Sequence, residues 1–158
     1  MSAEKVREYF VQAGREDVLI ALSQSSATVE LAAQALNCEP REIAKTLSFD
    51  CEGRIILIVA AGDAKIDNPK YRAFFSAKAR MLPGDQVESL VGHGIGGVCP
   101  FAVNPGVCVY LDISLKRFEH VFAAAGSIVD VAKLTIPELE QFSGYLEWID
   151  VCKGWQEE

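Results

Sequence analysis

Histidine is scarce in this chain, and clustered ligand sets are missing altogether. Among 158 residues there are two histidines, His93 and His120. The five cysteines, Cys38, Cys51, Cys99, Cys108 and Cys152, are odd in number, and none form a Cys-x-x-Cys pair. A zinc site needs gathered Cys and His ligands. No metal is therefore expected, and no cofactor. The cysteines read as reduced, buried small hydrophobes. Also absent is an apolar run of the ~20 residues that a membrane-spanning helix requires; the longest, 55–61, suits a buried strand. Positive charge is short as well: 15 Lys and Arg face 22 Asp and Glu, a net charge of −7. That balance excludes a protein that coats nucleic acid non-specifically. It leaves room for one that grips only the end of an RNA, with neither DNA nor membrane as a partner. The first ten residues are charged and helix-like and lack a signal-peptide core, which points to the cytoplasm. No repeat or low-complexity linker divides the chain, and its length suits one domain over 1–158.

What is present is a mixture of helical and strand patterns without regular alternation. Val6, Tyr9, Phe10 and Ala13 recur at helical spacing and predict a helix over 2–13 that Gly14 stops, with Tyr9 and Phe10 in the core. A short strand is expected over 18–22, then a polar loop over 23–28. Thr28 opens a second helix ending near Asn37. Pro40 starts a short helix through Ala44. Residues 46–51 and 54–60 form a hairpin candidate around Asp50-Cys51-Glu52-Gly53. Its second arm is apolar throughout, as expected of a central strand covered on both faces. Further along come a helix over 68–77, a strand over 79–82 and a helix over 83–90. A strand over 107–111 and a helical turn over 113–118 follow. Paired strands over 119–124 and 128–132 flank Gly126-Ser127. Thr135 and Glu138 have the spacing of a capping box for a last helix that Gly144 ends. Trp148, Ile149, Val151 and Trp155 form an apolar tail expected to pack back. The fold class is α+β with a mixed, curled sheet.

The least ordinary run is Gly92-His93-Gly94-Ile95-Gly96-Gly97-Val98-Cys99-Pro100-Phe101. Its glycines permit positive φ and close approach, and Pro100 fixes the exit. Such a loop is either a tight bulged connection or a cradle of backbone N–H groups for an anion or oxyanion. Lys45, in Ile43-Ala44-Lys45-Thr46-Leu47, sits at an expected helix-to-strand junction among small and apolar neighbours. It is either a solvated lysine at a helix end or a fixed cation whose pKa burial lowers. His93 reads as a polar turn residue or a ligand-bonding base. Cys99 reads as packing, since no Cys–His–acid set is legible. Ser127, with Asp130 three residues on, either lines a pocket or makes a hairpin turn. Lys65, Lys70, Arg72, Lys78 and Arg80 are either a phosphate patch or a solvated face. The Lys-Ser/Thr ending of a P-loop is absent.

Taken together, Lys45-Thr46, the Ile-rich strand 55–60, Gly96-Gly97-Val98-Cys99-Pro100 and Ala125-Gly126-Ser127 resemble the YbaK/EbsC group. These are editing domains related to the insertion domain of bacterial prolyl-tRNA synthetase. The resemblance spans almost the whole chain. It implies a mixed, barrel-like sheet flanked by helices. It also implies hydrolysis of the ester that joins a wrong amino acid, such as Cys or Ala on a proline tRNA, to the tRNA 3′ end, with a synthetase as a further partner. Carried over by motif, Lys45, Gly96 and Gly97 are the expected catalytic set. Thr46, His93, Val98, Cys99, Pro100, Ser127 and Asp130 are the expected substrate contacts. The nucleophile implied is a water, oriented by the loop and by the substrate's own 2′-hydroxyl. In the cysteine-clearing branch it is the substrate's own thiol. The rival expectation is a non-catalytic module that binds an aminoacyl-adenosine or nucleotide, or serves synthetase recruitment.

Overall fold

The computed structural model describes residues 2–156; Met1, Glu157 and Glu158 of the expected 1–158 unit lie outside the described residues. Five helices, α1 (Ser2–Gln12), α2 (Val29–Leu36), α3 (Asn68–Phe75), α4 (Gly84–Val91) and α5 (Ile136–Ser143), surround a mixed sheet. Its strands are β1 (Leu19–Ala21), β2 (Ile43–Cys51), β3 (Arg54–Ala61), β5 (Cys108–Asp112), β6 (His120–Ser127), β7 (Asp130–Thr135) and β8 (Glu147–Ile149), in the order β1-β7-β6-β2-β3-β5-β8. A separate two-stranded ribbon joins β4 (Lys65–Ile66) to β9 (Cys152–Lys153). The α+β class with a mixed sheet stands as expected. The sheet is not closed into a barrel, since β1 and β8 lie at opposite ends of the order.

The centre follows from sequence. Ile56, Leu57, Ile58, Val59, Ala60 and Ala61 of β3 are wholly buried between β2 and β5. The β2–β3 hairpin turns on Glu52 and Gly53, both at positive φ, the geometry that two-residue hairpin loops require. Thr28 caps α2 by accepting from Leu31 N, and Thr135 with Glu138 forms the expected capping box on α5. Phe10 is wholly buried, with its ring 5.1 Å from that of Phe101 and 5.0 Å from that of Phe142. One aromatic cluster thus ties α1 to α5 and to the exit of the glycine loop. Tyr9 is 37% exposed, and its hydroxyl donates to the Phe142 carbonyl. It belongs to the rim of that core rather than its interior, because a buried phenol needs a partner.

Three local expectations are corrected. The helical turn after Pro40 ends at Glu42, and β2 begins at Ile43. Lys45 therefore stands on a strand, with a sheet neighbour on its β3 side (Lys45↔Ala60). Residues 79–82 make only an isolated bridge, Phe49↔Met81. The β6–β7 turn falls at Ile128 and Val129, and Gly126-Ser127 lies within β6, where the register shifts. Gly126 has φ +99 and its Cα side faces the backbone of Ala3, so a Cβ there would meet Ala3 Cα at 2.8 Å. The bulge accommodates the close approach of α1. The apolar tail does return: Ile149 and Val151 are buried, and β8 extends the sheet beside β5.

Candidate functional site

The sheet has a seam. β2 pairs with β3 from Ala44↔Ala61 to Cys51↔Arg54, but it pairs with β6 only at Ile43↔Phe122 and Ala44↔Ala123. Further along, the chain at residues 80–82 takes over the same edge: Asp50 N donates to Arg80 O at 2.9 Å and Leu82 N donates to Ser48 O at 3.1 Å. Backbone groups on a strand alternate sides. Thr46 therefore points its N–H and C=O at the same edge as Ser48, into the gap between β6 and residues 80–82. A cavity of about 400 Å³ occupies that gap, within the size range of small-molecule sites.

Lys45, Thr46, Leu47 and Ser48 form one wall of the cavity, and Ile95, Gly96 and Val98 of the glycine loop form another. Ser26, Ala27 and Thr28, Met81 and Leu82, and Phe122 to Ala124 complete most of the lining. Lys45 is the only charged residue lining it among the described residues, and no His, Cys, Asp or Glu side chain does so. The lysine is half-buried. Its ammonium donates to the carbonyls of Ala64 and, at 3.5 Å, of Gly62. Burial pushes its pKa below the ordinary lysine value, opposed by the carboxylates of Asp63 and Glu30, with Lys65 adding to the fall. An ammonium carries three donors, so the two carbonyls leave capacity for a ligand. Thr46 Oγ1 is buried and has no hydrogen-bond partner in the protein.

The loop offers backbone, not side chains. Gly96 adopts φ +90, and a Cβ there would fall 2.6 Å from the Ile128 side chain. The Gly97 N–H is occupied, donating to Gly94 O at 3.0 Å, and Gly97 O accepts from Gly126 N at 3.1 Å. A Cβ on Gly97 would fall 2.5 Å from Gly126 C and Ser127 N, so Gly97 fastens the loop to β6 and lies behind the wall. The N–H groups of Gly96 and Val98 have no acceptor in the protein among the described residues.

The structure thus brings together Lys45, Thr46, Gly96 and Val98, and it sets the other expected contacts apart. His93 is wholly buried, with Nε2 2.6 Å from Phe101 O and Nδ1 2.6 Å from Ser2 Oγ. A carbonyl only accepts, so Nε2 carries the proton; burial pushes the imidazole pKa down. Cys99 is wholly buried, and burial pushes its thiol up to about 12, which leaves no thiolate at neutral pH. Pro100 is buried behind the loop. Ser127 Oγ donates to Asp130 Oδ2 at 2.6 Å and accepts from Val129 N at 3.0 Å. This pair closes the β6–β7 turn, and Asp130 faces a second cavity beside α1 and β1, lined also by Ala3, Arg7 and Ala125. Of the basic patch, Lys70 is paired with Asp150 at 3.0 Å, while Arg72, Lys78 and Arg80 are exposed. Sequence reasoning missed Ser26, Phe122, Met81 and the turn at residues 62–64. Only Ser26 carried a signal, as part of a small polar loop before a helix cap.

A family model for the aminoacyl-tRNA editing domain matches residues 23–142, a span that holds β2, the glycine loop and β6. The chain belongs to the aminoacyl-tRNA editing domain family. Among the relatives of this editing domain, "Uncharacterized protein YwhH" of Bacillus subtilis (strain 168) is 52% identical over 157 residues, covering 99% of this chain and 100% of that protein. A proline--tRNA ligase of Lysinibacillus sphaericus (strain C3-41) is 27% identical over 99 residues, covering 62% of this chain but only 17% of the ligase. In three dimensions the editing domain superposes on the crystal structure of a proposed trans-editing enzyme for prolyl tRNA synthetase. The TM-score is 0.86 at 29% identity, over 97% of this chain and 98% of the other. No helix among the described residues is long and apolar enough to cross a membrane.

Proposed function

We propose that this editing domain is a deacylase that hydrolyses the ester of a mischarged aminoacyl-tRNA, with Cys or Ala on a proline tRNA as the substrates. The observation that carries this reading is the cavity itself: a half-buried lysine on one wall, residues with unpartnered backbone N–H groups on the other, and, among the described residues, no His, Cys, Asp or Glu side chain in the lining to activate a hydroxyl. Ester hydrolysis develops negative charge on the carbonyl oxygen. Fixed donors in a dry site stabilise that charge, one such donor contributing about 3 kcal/mol. The free N–H groups of Gly96 and Val98 serve as those donors in this account, which moves the role expected of Gly97 to its two neighbours. Lys45 supplies the cation, against the ester oxygen or the terminal phosphate. The orphan hydroxyl of Thr46 and its backbone groups meet the aminoacyl moiety. Water attacks, positioned by the 2′-hydroxyl of the terminal adenosine; for a cysteinyl ester the substrate thiol can attack instead. The tRNA 3′ end is the bound partner, and a synthetase that delivers it is a second one, which places the work beside cytoplasmic translation.

That no His, Asp or Glu side chain lines the cavity among the described residues favours one other reading, a module that binds an aminoacyl-adenosine without turnover. Incubation with Cys-, Ala- and Pro-charged proline tRNA separates the two. The deacylase reading expects one of the mischarged esters to be cleaved well above the buffer rate and Lys45→Ala to abolish the excess. Cleavage at the buffer rate by both proteins, with retained binding of the charged tRNA, supports the binding module and overturns the deacylase.

A further inference from the structure

Lys45 is held by a turn, and that turn is held from outside the cavity. Ala64 N donates to Ala61 O at 2.9 Å, closing a tight reversal at the end of β3. The carbonyls that receive the Lys45 ammonium, those of Gly62 and Ala64, flank Asp63 in this turn. On one side Gly62 presses against Pro40: a Cβ there would lie 2.0 Å from Pro40 O. On the other side the Asp63 carboxylate accepts a two-pronged pair from Arg117, Nη2 to Oδ1 at 2.6 Å and Nη1 to Oδ2 at 3.0 Å. Each of the three guanidinium nitrogens of Arg117 is itself engaged. Its Nε donates to Ser114 O at 2.9 Å and Nη1 also donates to Trp155 O at 3.2 Å. The guanidinium lies over the rings of Phe118 (4.7 Å) and Trp155 (5.1 Å). A planar fork matched to a carboxylate fixes direction as well as distance. Arg117 does not line the cavity.

We propose that Arg117, acting through Asp63, is a positioning residue for Lys45, aiming the two carbonyls of the turn so that the ammonium projects into the cavity. This rests on the deacylase reading of Lys45. A lysine has four rotatable carbons and no intrinsic direction; the carbonyl pair supplies the direction and the Arg117–Asp63 fork supplies the rigidity of the carbonyl pair. Misplacement of a working group by about an ångström lowers rates by orders of magnitude, so a group outside the cavity can govern chemistry within it.

The test uses Arg117→Met, Arg117→Lys and, as a control, Arg15→Met. Arg15 makes a comparable ion pair with Glu138 at 2.6 Å, on a helix that does not border the cavity. Two readouts are taken: kcat/KM on Ala- and Cys-charged proline tRNA, and the pH titration of the Lys45 resonance in protein labelled at lysine Cε, assigned by its loss in Lys45→Arg. Arg117→Met is expected to lower kcat/KM about tenfold or more and to move the Lys45 titration upward, as the ammonium gains water and the Asp63 carboxylate loses its cationic partner. The titratable groups facing it are the carboxylates of Asp63 and Glu30, the Lys65 ammonium and the buried Cys152 thiol, which burial keeps neutral, all unchanged in the variant. Arg117→Lys keeps the charge, loses the fork and is expected to recover part of both effects, and Arg15→Met neither. A folded Arg117→Met with wild-type kcat/KM and an unmoved Lys45 resonance overturns the proposal, as does an equal fall in Arg15→Met. If Arg117→Met does not fold, Arg117→Gln makes the same comparison. Absence of turnover in the wild type counts against the deacylase reading alone, because the titration still decides whether Arg117 governs Lys45.

Discussion

The two walls of the cavity obtain their precision in opposite ways. The Lys45 wall is regular sheet. β2 lies against the wholly buried β3, and a long charged side chain is pinned at its tip by a turn. The glycine wall has no regular structure and no working side chain. It is fastened where two backbones approach too closely for any Cβ, Gly97 against Gly126 and Ser127, and by His93, which spans from Ser2 to Phe101. Side-chain chemistry rests on a rigid strand, and backbone chemistry rests on the absence of side chains. The contrast teaches that the loop residues assigned the work in the proposed deacylation differ from those which look reactive. His93 and Cys99 are buried within the loop, and Gly96 and Val98 carry its unpartnered N–H groups.

Variants can break either wall, and the largest effect is expected at Lys45, the cation in the cavity lining. Lys45→Ala is expected to lower kcat/KM about 100-fold, the cost of removing one preorganised charge-stabilising donor, with little change in melting temperature. Single-turnover deacylation and thermal melting check this together. Next is the fastening of the loop. Gly97→Ala forces a Cβ into backbone at 2.5 Å, and overpacking of that kind costs about 1–3 kcal/mol. Denaturant unfolding should show the loss, and deacylation should fall with it as the loop moves off β6.

Smaller effects follow from the two buried bases. Burial depresses the Lys45 pKa, so the cationic form is present below that value and lost as pH rises through it. The alkaline limb of kcat/KM is expected below the ordinary lysine value of about 10.4 and to vanish in Lys45→Arg. A limb at or above the free value would show that the ammonium is hydrated. For His93 the folded pKa is also depressed. The unfolded chain therefore takes up a proton first as pH falls below about 6.5, and stability drops from there down to the folded pKa and no further. Urea unfolding at pH 7.5 and 5.5 should show this loss in the wild type and a smaller one in His93→Gln.

The strand wall was the more legible in the sequence. An unbroken apolar run at 55–61 admits few readings besides a covered strand, and Lys45-Thr46 stands out by its greasy setting. Even so the start of β2 is not legible in the sequence. Ile43 and Ala44 fit a helical turn after Pro40 as well as a strand, and only pairing with β6 decides between them. The loop announced itself by its glycines but not by their division of labour, because φ +90 at Gly96 and the close approach at Gly97 are properties of what each faces. Ser127 and Asp130 illustrate the same limit: their spacing suits a pocket and a turn equally, and the β6 bulge directs them into the turn. The hold of Arg117 on residue 63 was beyond reach, since it joins positions 54 residues apart.

The most direct test of the account is single-turnover cleavage of one mischarged proline tRNA by the wild type, Gly96→Val and Cys99→Ser. Valine at φ +90 strains the backbone and drives a Cβ to 2.6 Å from the Ile128 side chain, displacing the loop wall, whereas serine replaces a buried thiol that does not line the cavity. The account predicts a severe loss of rate for Gly96→Val and a rate close to wild type for Cys99→Ser at temperatures where both remain folded. Loss of cleavage in Cys99→Ser with near-normal cleavage in Gly96→Val would contradict it.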